Sequence, residues 1–182
     1  MNQRGDCIRE VHPLFQEEGG GSIPTSPLQF HIGQMDVWRA IEINRAWHSR
    51  VPEFASPPGH CRAFGAEFDG RFYAVAIWSP PVARMLNGTG RYELRRLAIA
   101  EDAPPNAASR MLRVMRLLIG REMPLIEILI SYQDTGSHQG TIYKAAGWRP
   151  VRLDRGGEWT RPSRPRAVVQ AGTPKVRWEI AV

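Results

Sequence analysis

The chain has 182 residues, of which 42% are apolar and 23% charged, with a formal net charge of +6. This length fits one globular domain with a sizeable core plus appendages, and the two cysteines, Cys7 and Cys61, have no zinc spacing, which argues against a metal cage or a disulfide framework. No apolar run approaches membrane-spanning length and the Gly- and Glu-rich N-terminus has no signal-peptide core, so a soluble cytoplasmic protein is expected.

Residues 1–26 contain EEGGGS and several prolines and read as a poorly ordered lead-in. Leu28 to His31 alternates as a candidate edge strand, and Asp36 opens a helix to about Trp47. Prolines beyond it place His48 at the helix C-terminus, where the dipole stabilises an imidazolium, so plain capping competes with any functional role. Cys61 to Phe68 and Phe72 to Ser79 are β-rich runs joined by Asp69-Gly70, a strong hairpin signal. Asn87 to Gly90 then turns the chain into a third strand, Arg91 to Ile99.

Asn106 follows Pro104-Pro105 and is a good N-cap for a helix with an apolar face of Ala108, Met111, Leu112, Met115, Leu118 and Ile119. The small residues Asn106 to Ser109 would let an anion approach free amides at the helix start, although most such starts bind only water. Leu125 to Ile130 reads as a buried strand. It feeds a polar loop carrying Asp134 and His138 and then a short helix, Thr141 to Ala146. A strand end leading into a loop and helix is where such proteins place ligands. Trp148 to Val151 begins a further strand. The order of elements is α+β with a mixed sheet, not a doubly wound one.

From Arg149 onward eight basic residues stand against three acids, so +5 of the +6 lies there. Lys144 and Lys175 are the only lysines; the positive charge is otherwise guanidinium, which suits phosphate contacts and base stacking. A GC-rich genome produces the same bias without function. Residues 161–182 are set apart as a basic extension of a domain spanning 27–160. Trp159, just before it, and Trp178 within it are interleaved with the charges, either as part of a nucleic-acid edge or docked on the core.

Glu93 to Ile99, Asn106 to Ser109, Leu125 to Ser131 and Ile142-Tyr143-Lys144-Ala145-Ala146-Gly147-Trp148 together resemble the GNAT acyltransferase superfamily over roughly residues 35–155. Within it, Trp47-His48-Ser49-Arg50, Glu93-Leu94-Arg95-Arg96-Leu97 and SYQDTGSHQGTIYKAAGW most resemble the Mom-like DNA-modification proteins of bacteriophages and prophages. The resemblance implies a mostly antiparallel mixed sheet flanked by helices, with two strands splayed to form an acyl-CoA cleft. It also implies modification of the adenine exocyclic amine in DNA, in a bacterial host, with a carbamoylmethyl-type or methylcarbamoyl-type product and an anti-restriction role.

By the same resemblance, acetyl-CoA or a related acyl-CoA would contact Arg96, Leu97, Ala98, Ile99, Asn106, Ala107, Ala108, Ser109 and Arg110. His48 and Asp134 would be catalytic and could hold iron. Tyr143 would protonate the departing thiolate if its pKa falls towards that of a thiol. The loop before the helix departs from the superfamily in having no glycine, and Ser49 replaces an aromatic hydroxyl. DNA would be gripped by Arg50, Arg161, Arg164, Arg166, Lys175 and Arg177, and a homodimer is compatible. Two alternatives stand beside this: an N-acetyltransferase for a small-molecule or protein amine, and a non-catalytic nucleic-acid-binding module. Residue chemistry alone also offers Asp134 as an Asx turn and Tyr143 as core packing.

Overall fold

The computed structural model describes residues 22–47, 57–154 and 173–182. In chain order the elements are β1 (His31–Met35), α1 (Val37–Trp47), β2 (Arg62–Phe68), β3 (Arg71–Ser79), β4 (Arg91–Ile99), α2 (Ala107–Glu122), β5 (Ile128–Asp134), α3 (Thr141–Ala145), β6 (Arg149–Asp154) and β7 (Lys175–Ala181). The strands form one seven-stranded sheet in the order β1-β2-β3-β4-β5-β7-β6. Every neighbouring pair is antiparallel except β4 with β5.

Alternation along the strands sorts the core into two layers. Successive strand residues face opposite sides, and on β3 Val75 and Ile77 meet the buried Ile41 and Ile43 of α1. Ala74, Ala76 and Trp78 on the same strand meet Met111, Leu112, Met115 and Ile119 of α2. The α2 side chains recur at helical spacing and are fully buried, each worth about 1.5–3 kcal/mol of apolar transfer. At the heart of that layer Trp78 donates its indole N–H to Met115 Sδ at 3.1 Å. Asp36 caps α1 by accepting the Arg39 amide at 2.9 Å. The β2–β3 hairpin turns on Asp69 and Gly70, both at positive φ, as the Asp-Gly pair predicts. No helix among the described residues is long and apolar enough to cross a membrane.

Three boundaries differ from the sequence expectation. Pro27–Gln29 is a 3-10 turn, not a strand, because Ser26 and Gln29 form a reciprocal capping box around Pro27; the edge strand begins at His31. Leu125 is 85% exposed, and β5 starts only at Ile128, since residues after α2 make a turn that hands the amides of Glu127 and Ile128 to the Gly90 carbonyl. The part of 161–182 within the described residues is not an extension: Lys175–Ala181 is β7, an interior strand between β5 and β6. Its alternating Val176, Trp178 and Ile180 pack into the α2 layer, with Trp178 only 3% exposed.

Candidate active site

The parallel pair that occupies the centre of the sheet does not stay paired. β4 and β5 are in register from Arg91–Ile128 to Leu94–Ser131 and then part, while β4 runs on to Ile99 and β5 to Asp134. A bulge contributes to the parting. Ile77 pairs with Arg96 and Trp78 with Leu94, leaving Arg95 as the extra residue, and such an insertion bends the bulged strand and raises its twist. Beyond the parted ends lies a cleft of about 200 Å³, lined by Ile99, Pro104, Asn106, Ala107, Ala108 and Ser109 and, from α3, by Thr141, Ile142 and Ala145.

The helix start bordering this cleft is not capped as expected. Asn106 adopts a left-handed conformation at φ 68 and makes no side-chain cap bond; its own carbonyl accepts the Arg110 amide and the Ser109 hydroxyl. The Asn106 side chain therefore does not compete with a ligand for the first turn of α2, and the residues there are small enough for an anion to reach the amides. Of the expected acyl-CoA contacts, Ile99 and Asn106 to Ser109 line the cleft. Arg110 follows one residue further along α2. Leu97 packs on the α2 layer, whereas Ala98 packs on the α1 layer. Arg96 also lies on the α1 side, opposite Ile77, where burial first and then Arg95 bring its guanidinium down to about 10.

Beneath the parting, on the α2 and α3 side, lies a buried polar pair. Ser131 is the last β5 residue paired with β4, and its Oγ is 2.8 Å from the Tyr143 hydroxyl. Tyr143 is stacked on Trp178 and edge-on to Trp148, with ring centroids 5.4 and 5.6 Å apart. The α3 entry is locked by Gln133, whose carbonyl oxygen accepts the Trp178 indole N–H at 2.7 Å and whose amide nitrogen donates to the His138 carbonyl. The lowering of the Tyr143 pKa on which protonation of the thiolate is conditional is not found. Burial pushes it up, and the Ser131 hydrogen bond offsets this only in part.

The opposite side of the same parting holds Glu93, which residue patterning gave no reason to single out. It is the one charged side chain classed as buried among the described residues, 6% exposed. Its carboxylate accepts the Val82 amide at 2.9 Å from the β3–β4 loop and lies 3.4 Å from the Arg95 guanidinium. Burial pushes its pKa up against the pull of Val82, Arg95 and Arg96. Tyr132, the first β5 residue past the parting, is raised by burial and then by Glu93, while a hydrogen bond from Arg177 acts the other way.

A pH signature follows from the raised Glu93 pKa. A carboxyl with a higher pKa folded than unfolded binds more protons in the folded state, so stability falls as pH rises from the unfolded value through the folded one. Glu93→Gln removes this titration. The stability of the variant relative to wild type is expected to rise with pH from about pH 4 upwards and to level off once Glu93 is ionised, as read by urea denaturation across pH. A difference that does not vary with pH would refute it.

Asp134 is arranged as a loop clasp. One carboxylate oxygen accepts the Gly136 amide at 2.9 Å, the Asx-turn geometry, and the other accepts the Thr173 hydroxyl at 2.8 Å. Its carbonyl accepts the His138 amide. No group of three His, Cys, Asp or Glu among the described residues is arranged to hold a metal ion, and both Asp134 carboxylate oxygens already accept a hydrogen bond within the loop. His48, Arg50, Arg161, Arg164 and Arg166 lie outside the described residues. Lys175 and Arg177 stand on β7, where Arg177 is 3.0 Å from Glu179.

The fold has many solved counterparts. The ribosomal-protein-S18-alanine N-acetyltransferase of Escherichia coli superposes with a TM-score of 0.58 at 10% identity, covering 84% of this chain and 94% of that one. A GNAT family acetyltransferase from Elizabethkingia anophelis with acetyl-CoA bound gives 0.54 at 11% identity, covering 85% and 99%. A Bacillus subtilis acetyltransferase in complex with CoA gives 0.51 at 11%, covering 84% and 99%. These similarities establish the GNAT acetyltransferase fold. No curated protein sequence matches the chain. The Mom protein family matches residues 29–155, which include the parted strands, the α2 start and the Ser131–Tyr143 pair. The match takes in well over half of the chain, which belongs to the Mom protein family.

Proposed function

We propose that this protein is an enzyme that uses acyl-CoA to modify the exocyclic amine of adenine in DNA, with a carbamoylmethyl-type or methylcarbamoyl-type product. The observation that carries the acyl-CoA part is the uncapped α2 start facing a cleft at the end of the parted β4 and β5. The pyrophosphate would take the first-turn amides, and the pantetheine would run along the β4 edge that β5 has left. Membership of the Mom family supports DNA adenine as the acceptor.

In the transfer, a C–N bond forms from the adenine amine to the thioester carbonyl carbon as the C–S bond breaks, and the proton lost by nitrogen ends on the sulfur. The free thiol and an N-acyl adenine result, and the second nitrogen of a carbamoylmethyl-type or methylcarbamoyl-type product has to come from a further amine-supplying reaction. Tyr143 is protonated at neutral pH, as any phenol is, and burial keeps it so at higher pH, so its hydroxyl acts as a hydrogen-bond donor, oriented by Ser131, towards the charge developing on sulfur. The adenine amine approaches from the other side of the parting, where Glu93 can accept a hydrogen bond from it. Its lone pair is delocalised into the ring, so precise positioning is required. Asp134 serves by holding the β5–α3 loop closed.

The second reading is an N-acetyltransferase for a small-molecule or protein amine, which needs the same cleft but no nucleic acid. Mass spectrometry of nucleosides from cells expressing the protein separates the two. Modified adenine is expected, and unmodified adenine from a preparation that binds CoA would overturn the DNA reading. Ser109→Glu places a carboxylate where the pyrophosphate is proposed to sit. It is expected to abolish the thermal shift given by acetyl-CoA and to lower modification by more than about tenfold, since like charges at a helix start lose both the amide contacts and the dipole.

A further inference from the structure

The two faces of the sheet are covered unequally. α1 packs against β2, β3 and β4, which leaves the β5–β7–β6 part of its face without that helix. Register sets the residues there in rows. Tyr132, Arg177 and Arg152 stand opposite one another across β5, β7 and β6. One pair of positions along, Ile130, Glu179 and Arg149 form the next row. With strands about 4.8 Å apart, the Tyr132 row reaches about 10 Å from the parting to the β6 edge.

The chemistry along that row changes in one direction. At the parting stands the Tyr132 phenol, directly opposite Arg177 on β7 and one residue past Ser131, the last β5 position paired with β4. Next come guanidinium groups held in place by acids: Arg177 by Glu179 at 3.0 Å and Arg152 by Asp154 at 2.6 Å. One carboxylate occupies only part of a guanidinium's five donors, so each pair orients an arginine and leaves N–H groups for another acceptor. Arg149 and Arg152 are exposed on the edge strand. An aromatic ring beside a reaction centre, followed by fixed guanidinium groups leading to an open edge, matches a stacked base followed by its backbone phosphates.

We propose that this sheet face beside α1 is the nucleic-acid track of the protein, seating a single-stranded segment with an unpaired base against the half-buried Tyr132 and phosphates on the exposed Arg152 and Arg149, with Arg177, 18% exposed, between them. The inference rests on the DNA reading above and extends it by naming the surface and the strandedness of the bound segment. An adenine in a duplex must leave the stack before its amine can be reached, and the track holds the strand on which it lies.

The test measures binding of the full chain to a fluorescein-labelled 12-nucleotide adenine-containing oligonucleotide by anisotropy over a range of salt. The double variant Arg149→Gln, Arg152→Gln is expected to bind about tenfold more weakly at low salt and to lower the slope of log affinity against log salt by about 1.4, two phosphate contacts' worth for a single strand. Tyr132→Ala is expected to weaken binding at least about fivefold, with Tyr132→Phe close to wild type. The thermal shift from acetyl-CoA should be unchanged in all three, which reports an intact fold. A double variant with the wild-type affinity and slope overturns the proposal. So does competition by poly-glutamate as effective as that by the oligonucleotide, which would mean an acidic-protein surface. Nucleoside mass spectrometry is independent of this assay, so modified adenine together with an unaffected double variant removes the track and leaves the proposed function standing.

Discussion

Tyr143→Phe should leave the protein folded and able to bind CoA while lowering adenine modification by about 10²–10³-fold, the usual cost of losing one donor aimed at developing charge. The substitution isolates the hydroxyl. The ring keeps its stack on Trp178 and its edge contact with Trp148, and only the bond to Ser131 is lost, about 1 kcal/mol of stability. Urea denaturation and single-turnover kinetics on the same preparation would read both effects. Rates within a factor of two of wild type would reduce Tyr143 to packing. The raised pKa also means that the donor is not lost at neutral or mildly alkaline pH.

Gly140→Ala is the substitution expected to damage the fold most for the least change in mass. Gly140 precedes α3 at φ 72, and a Cβ there would sit 2.5 Å from both Gln133 Oε1 and Trp178 Cζ2. The left-handed backbone costs an alanine about 1–2 kcal/mol, and forcing apart a close-packed neighbour adds about 1–3 kcal/mol. A total loss of about 2–5 kcal/mol in urea denaturation is expected. Activity should fall as well, because the residue that must give way is the one on which Tyr143 is stacked. A loss under about 0.5 kcal/mol, the size of an ordinary surface change, would mean that the α3 entry is far looser than the geometry indicates.

What could be read from the chain was read where the cause is local. Asp69-Gly70 carries its own turn, Met111 to Ile119 carry a helical stripe, and Gln133-Asp134-Thr135-Gly136 carries an Asx turn; each appears in the structure as chemistry predicts. β7 escaped although its signal is present. Val176, Trp178 and Ile180 alternate cleanly with Lys175, Arg177 and Glu179, a period of two that also reads as a stretch of a basic tail. Glu93 stands in the stretch that carries the family resemblance, but nothing in the residue pattern marks it for burial. It is one charge in an alternating strand, and its burial depends on the Val82 amide reaching it from the β3–β4 loop, a tertiary event. The bulge at Arg95 likewise defeats simple alternation, by which two successive strand residues such as Arg95 and Arg96 would face opposite sides of the sheet. Both lie near Glu93, Arg95 through its ion pair and Arg96 through its charge.

The placement of β7 between β5 and β6 also orders events in time. β6 is made before β7 but its ladder is with β7, so it has no strand to join until the later one has docked on β5. Ser131 and Trp178 are partners in that ladder and are 47 positions apart in the chain, a closure whose entropy is lost before the contacts form. The half of the sheet from β1 to β4 needs no such delay, because each strand pairs with the one that follows it in the chain. Assembly is therefore expected in two stages, with the sheet first ending in a transient open edge at β5, and with the aromatic seat of Tyr143 completed only at the second.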